Sequence, residues 1–112
     1  MPKIQILTVD DVNLMRDFIR YGLNAVLSDI EIYEAINGRH AQTILSTRPI
    51  DVILCDWEMP EINGKQLLLW IRENEKLRDL PFIMITGFSE RKHVVEALRA
   101  GIDGYVDRKS VV

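Results

Sequence analysis

The sequence predicts an α/β fold: a doubly wound sheet of five parallel strands with helices on both faces. Three observations carry this expectation. Short apolar, β-branched runs alternate with segments of helical period along the 112 residues. The helical segments reach ten or more residues, as a crossover between parallel strands requires. One run, DVILCD at 51–56, is apolar nearly throughout, as expected of a strand covered on both faces.

Taken in order, KIQILTVDD (3–11) is the first strand, ending on two acids. NLMRDFIRYGLNAVL (13–27) puts Leu14, Phe18, Tyr21 and Ala25 on one helical stripe and Met15, Ile19 and Val26 on another. IEIYEA (30–35) is the second strand, closed by an Asn–Gly pair, and GRHAQTILSTR (38–48) is a helix stopped by Pro49. After the third strand, GKQLLLWIRENEKL (64–77) is helical and PFIMITG (81–87) is the fourth strand. SERKHVVEALRAG (89–101) has Ser89 as N-cap, Glu90 in the first turn and Gly101 to close it. YVD (105–107) is a short fifth strand.

The length suits a single domain, 1–112, and no linker, repeat or low-complexity segment divides it. A net charge of −3 argues against direct contact with nucleic acid or an anionic membrane. No apolar run approaches the roughly 18 residues of a membrane span, and no signal peptide precedes the first strand. The single cysteine, Cys55, has no partner for an internal disulfide, which fits the cytoplasm; it reads as a small buried hydrophobe.

In a doubly wound sheet, ligands bind beyond the carboxyl ends of the strands. Here those ends carry Asp10 and Asp11 (first strand), Asp56 (third), Thr86 (fourth) and the basic pair Arg108–Lys109 beyond the fifth. Three carboxylates brought into one small volume repel one another unless a cation neutralises them. A hard divalent ion suits oxygen ligands, and Mg²⁺ needs only one or two carboxylates besides water. Asp56 would then be both a ligand and a nucleophile able to accept a phosphoryl group as an acyl phosphate. Positioning and charge neutralisation supply most of what such a transfer requires.

VDD at 9–11, DWEMPEINGKQLL at 56–68, MITG at 84–87 and AGIDGYV at 100–106 resemble the receiver domain of bacterial two-component response regulators, of the chemotaxis-regulator type. The resemblance runs from residue 3 to about 109, and its motifs fall in order and spacing. It implies a flavodoxin-like sheet of strand order 2-1-3-4-5. It implies Asp56 as phosphoacceptor, Asp11 as a direct metal ligand, Asp10 as a partly water-mediated one, and the Glu58 backbone carbonyl as a further ligand. The implied cofactor is Mg²⁺, with Mn²⁺ as an alternative. Thr86 would bind a phosphoryl oxygen and Tyr105 would turn inward on activation. The donor would be a sensor histidine kinase, a phosphotransfer protein or a small acyl phosphate; the reader would be an effector domain or target protein. Homodimerisation through the strand 4–helix 4–strand 5 face is a further expectation. Such a domain catalyses its own phosphorylation and hydrolysis and has no independent substrate.

Two features depart from that pattern. The family has lysine then proline where this chain has Arg108 and Lys109, followed by Ser110. Arg108 can substitute directly, Lys109 can serve after a one-residue shift, or neither engages. Without proline the peptide there is expected trans. If the switch is lost, the alternative is a pseudo-receiver that acts by constitutive protein contact. Secondly, only Ser110, Val111 and Val112 stand where a fifth helix would follow. A fragment of a longer regulator, or a partner chain over the gap, would account for this, and one face of strands four and five would be open. Trp57 is expected to be partly exposed, Trp70 core or interface, and His40 and His93 surface residues. Gly64 is expected to make a turn, Gly87 to allow close backbone approach, and Pro60 to shape its loop. Glu58 and Phe88, each two residues after a site residue, are expected to edge the pocket and tune the hydrolytic water.

Overall fold

The computed structural model describes residues 2–86 and 91–107. Its elements are β1 (Ile4–Val9), α1 (Asn13–Val26), β2 (Ile30–Ala35), α2 (Gly38–Thr47), β3 (Val52–Asp56), α3 (Gly64–Glu73), β4 (Phe82–Thr86), α4 (Arg91–Ala100) and β5 (Gly104–Asp107). The strands form one sheet of order β2-β1-β3-β4-β5, and every neighbouring pair is parallel. The predicted alternation and strand order are therefore those observed. Ser89 and Glu90, proposed at the start of the fourth helix, lie outside the described residues.

The two faces of the sheet are distinct. Leu7, Val9, Ile53, Cys55, Phe82 and Met84 point to one side, where Ala41 and Leu45 of α2, Leu67, Leu68 and Ile71 of α3, and Ala97 of α4 join them in a single buried core. The alternate strand residues Leu54, Ile85 and Val106 face the other side, where, with Met15, Phe18 and Gly22 of α1, they line an open apolar groove of about 430 Å³. Tyr105 and Val106 of β5 are exposed.

The third helix ends earlier than its periodicity predicts. It stops at Glu73, where the expectation ran to 77. The Asn74 side chain accepts the Lys76 amide at 3.0 Å, a local turn that competes with continued helix. Its start is firm: Asn63 and Gln66 form a reciprocal capping box, each side chain accepting the other's amide at 2.9 Å. Asn37 caps α2 similarly, accepting the His40 amide at 2.7 Å. Gly101 closes α4 with φ +105°, where a side chain would be strained.

At the amino end of the sheet, Arg72 joins three segments. Its guanidinium donates to the carbonyls of Arg78 (3.0 Å), Leu80 (2.6 Å) and Gly101 (2.8 Å) and pairs with Asp103 at 3.0 Å. Asp103 in turn accepts the Phe82 amide at 2.8 Å, so the starts of β4 and β5 are tied to the end of α3.

Candidate functional site

The opposite edge of the sheet gathers the acids. Register pairs Val9 with Cys55 and Asp56 with Ile85, so Asp10, Asp56 and Thr86 finish three adjacent strands. Asp10 is 1% exposed, Asp56 3% and Thr86 3%, whereas Asp11 is exposed. One carboxylate oxygen from each of Asp10, Asp11 and Asp56 lies within 4.8 Å of the others. Among the described residues this is the one cluster of metal-ligating side chains of that kind.

Local hydrogen bonds shape the cluster. The Val12 amide donates to Asp10 Oδ1 at 2.9 Å, turning the chain sharply into α1. The Glu58 amide donates to Asp56 Oδ1 at 3.3 Å. The amino end of α1 begins two residues after Asp11, where its dipole favours negative charge. The donor set fits a hard divalent cation. Octahedral Mg²⁺ with bonds of about 2.1 Å places its ligand oxygens roughly 3–4.2 Å apart, so the acids need only a small closure or a bridging water.

The loop after Asp56 is folded back tightly. Trp57 is 6% exposed, not partly exposed as the sequence suggested. Its amide donates to the Ile85 carbonyl at 3.1 Å, and its own carbonyl accepts the Gly64 amide at 3.0 Å. Gly64 does not make a turn; it begins α3, and a Cβ there would stand 2.7 Å from the Asp56 carbonyl oxygen and 2.8 Å from Trp57 Cα. Glycine is needed because the helix start packs directly on the backbone of the strand end.

Of the other predicted residues, Glu58 is exposed on this loop and Tyr105 is 48% exposed on β5, paired with Met84. Phe88, Gly87, Arg108 and Lys109 lie outside the described residues. His40 is exposed, with Nδ1 accepting the Ile36 amide, while His93 is half-buried beside Trp57 and Glu58 in a shallow pocket. Lys65 and Glu96 bridge α3 and α4 at that pocket with a 3.0 Å ion pair. Trp70 is half-buried against the core. Cys55 is fully buried, and burial, then the nearby charges of Asp56 and Asp10, push its thiol well above the ordinary range. A thiol held protonated is a poor nucleophile. Cys55 should therefore resist a thiol-reactive disulfide reagent at pH 8 in the native protein and react fully in denaturant; equal rates in both would contradict its burial.

Arg16 escaped the sequence reading. It is 8% exposed, on the α1 face turned towards β2, and its guanidinium donates to the Asp10 carbonyl at 2.5 Å and to Asn13 Oδ1. The available signal was the spacing of Arg16 and Arg20, which share Glu34 at the end of β2.

A parallel sheet of this order with an acid cluster at its carboxyl edge is the arrangement of a receiver-type domain, and comparison with known proteins agrees. The response regulator receiver domain family model matches residues 6–111. A chemotaxis protein CheY homolog of Campylobacter jejuni is 35% identical over 104 residues, covering 92% of this chain and 79% of that protein. Chemotaxis protein CheY of Pseudomonas aeruginosa is 37% identical over 103 residues, covering 92% and 82%. Among solved structures, the signal receiver domain of a Syntrophus aciditrophicus signal transduction histidine kinase superposes with a TM-score of 0.82 at 30% identity, covering 93% of this chain and 77% of that one. Vibrio cholerae CheY4 gives 0.86 at 24% identity, covering 95% and 87%, and supports the fold. The chain belongs to the response regulator receiver domain family.

Proposed function

We propose that this receiver domain is a phosphorylation switch, with Asp56 as the phosphoacceptor and Asp10, Asp11, Asp56 and the Glu58 carbonyl as the protein ligands of a divalent cation, Mg²⁺ or Mn²⁺. The observation that carries this reading is the convergence of the three carboxylates within 4.8 Å at the sheet edge. Bound there, the cation would neutralise the acids and the incoming phosphoryl oxygens. An Asp56 carboxylate oxygen attacks phosphorus, and the bond from phosphorus to the donor's leaving atom breaks as the new acyl phosphate bond forms. The Glu58 amide holds Asp56 in place for that attack. Thr86, at the end of the adjacent strand, donates its hydroxyl to a phosphoryl oxygen, and Arg108 or Lys109 supplies the basic group. Glu58, exposed on the loop after Asp56, governs access of the hydrolytic water, a role the proposal extends to Phe88.

The added charge of about −1.5 to −2 then biases the segment after β4 and the Tyr105 ring. Tyr105 and Leu98, both exposed, supply apolar contacts on the α4–β5 face, where an effector, a target protein or a second copy would dock. The donor is a sensor histidine kinase or phosphotransfer protein, and the setting is the cytoplasm; no helix among the described residues is long and apolar enough to cross a membrane. The domain turns over only its own phosphoryl group. No observation favours the pseudo-receiver alternative.

Acetyl phosphate tests the reading. With Mg²⁺, intact-mass analysis should show one added phosphoryl group, and chelation of the metal should prevent it. A chain that takes up no phosphoryl group from acetyl phosphate in Mg²⁺ would refute the switch.

A further inference from the structure

Asp10 is held partly by its own turn, its Oδ1 accepting the Val12 amide at 2.9 Å, but that bond leaves the Asp10–Asp11 peptide to be held by other groups. Asp10 and Asp11 sit on the short connection between β1 and α1, and α1 has no side-chain cap at its first turn. Mutual repulsion of the carboxylates would open that connection. The peptide between the two acids is also gripped by Arg16, whose terminal nitrogens donate to the Asp10 carbonyl and to Asn13 Oδ1 while Nε lies 3.5 Å from Glu34 in an ion pair. Glu34 is itself fixed by Arg20 at 2.7 Å. The chain of contacts therefore runs from β2 through a buried guanidinium to the acidic peptide.

We propose that Arg16 is a positioning residue for the cation site: it locks the Asp10–Asp11 peptide so that both carboxylates face Asp56. This rests on the reading of the acid cluster as a divalent cation site. Planarity matters, because one fork donates to two acceptors in fixed directions while facing Glu34; a lysine ammonium in that place keeps the charge and loses the fork. The proposal makes a prediction opposite in sign to simple electrostatics. A cation near the site repels Mg²⁺, so if Arg16 acted only through its charge, removing it would tighten metal binding. If Arg16 positions the ligands, removing it weakens binding, and supports of this kind are typically worth about 10-fold or more in metal affinity.

The test is calorimetric titration of Mg²⁺ into wild type, Arg16→Met and Arg16→Lys, each checked for folding by circular dichroism. Positioning predicts that both variants bind Mg²⁺ about 10-fold or more weakly than wild type. Unchanged or tighter binding by a folded Arg16→Met, or wild-type affinity in Arg16→Lys, overturns it. A lower melting temperature with unchanged Mg²⁺ affinity identifies a merely structural role and also overturns it. Should neither variant fold, Glu34→Gln, which leaves Arg16 in place and loosens its hold, should weaken Mg²⁺ binding; unchanged affinity there counts against the proposal. Failure of wild type itself to bind Mg²⁺ overturns the cation-site reading, which separates the two failures.

Discussion

Asp56→Asn should abolish phosphoryl uptake from acetyl phosphate while making the metal-free protein more stable. The amide oxygen can still accept the Glu58 amide, which now donates to Asp56 Oδ1 at 3.3 Å, so the local fold has little reason to change. What disappears is the nucleophilic carboxylate and one of three negative charges within 4.8 Å. At such a separation, a like-charge pair near a surface costs on the order of 1–4 kcal/mol. Relief of that repulsion should raise the urea unfolding free energy by about 1 kcal/mol in the presence of chelator. Mg²⁺ should stabilise the variant less than it stabilises wild type, because binding to the folded state is what raises apparent stability. Intact mass and urea denaturation check the two halves. A phosphorylated Asp56→Asn chain would place the acceptor elsewhere, and a less stable variant would mean that the acids are not in conflict.

Arg72→Met should cost the most stability of any single polar substitution described here, about 3 kcal/mol. Arg72 donates to carbonyls of three separate residues and pairs with Asp103. Hydrogen bonds from a charged donor contribute about 1.5–3 kcal/mol each, less where water can replace them, and Arg72 is 22% exposed. Leu80, whose carbonyl accepts at 2.6 Å, is buried, so its loss is the least replaceable. The expected fall in melting temperature is roughly 13 °C. Arg72→Lys should recover only part of it, since an ammonium cannot reach the same acceptors. Because the cluster sits at the edge of the sheet opposite the acids, Mg²⁺ affinity of the folded variant should match wild type. A loss below about 1 kcal/mol would show that solvent satisfies these carbonyls.

The contrast between Asp56 and Arg72 also shows what a sequence displays. The acids were legible because a strand ending is a local event: period, turn residues and a terminal carboxylate are read in one window, and the sheet rule brings the ends together. DVILCD announced a buried strand and its terminal Asp56, and the structure buries Ile53, Cys55 and Asp56, while Leu54 on the other face lines the open groove beside α1. The arginines were not legible. Arg16 finds Glu34 across 18 positions and Arg72 finds Asp103 across 31, contacts that exist only once the strands are ordered. The same reason hid the burial of Trp57 and the role of Gly64. Both depend on how closely α3 begins against the end of β3, a distance that no hydrophobic pattern encodes. The early end of α3 was hidden differently, since Asn74 makes its own side-chain turn within an otherwise helical period.

The central claim is that the fold creates a pocket of negative charge matched to a divalent cation, and one titration addresses it directly. Mg²⁺ added to wild type in a calorimeter should give saturable binding of one ion in the millimolar range or tighter, and the same titration of Asp11→Asn should show markedly weaker binding. Heats indistinguishable from dilution in the wild-type protein, or equal affinity in the two proteins, would contradict the account.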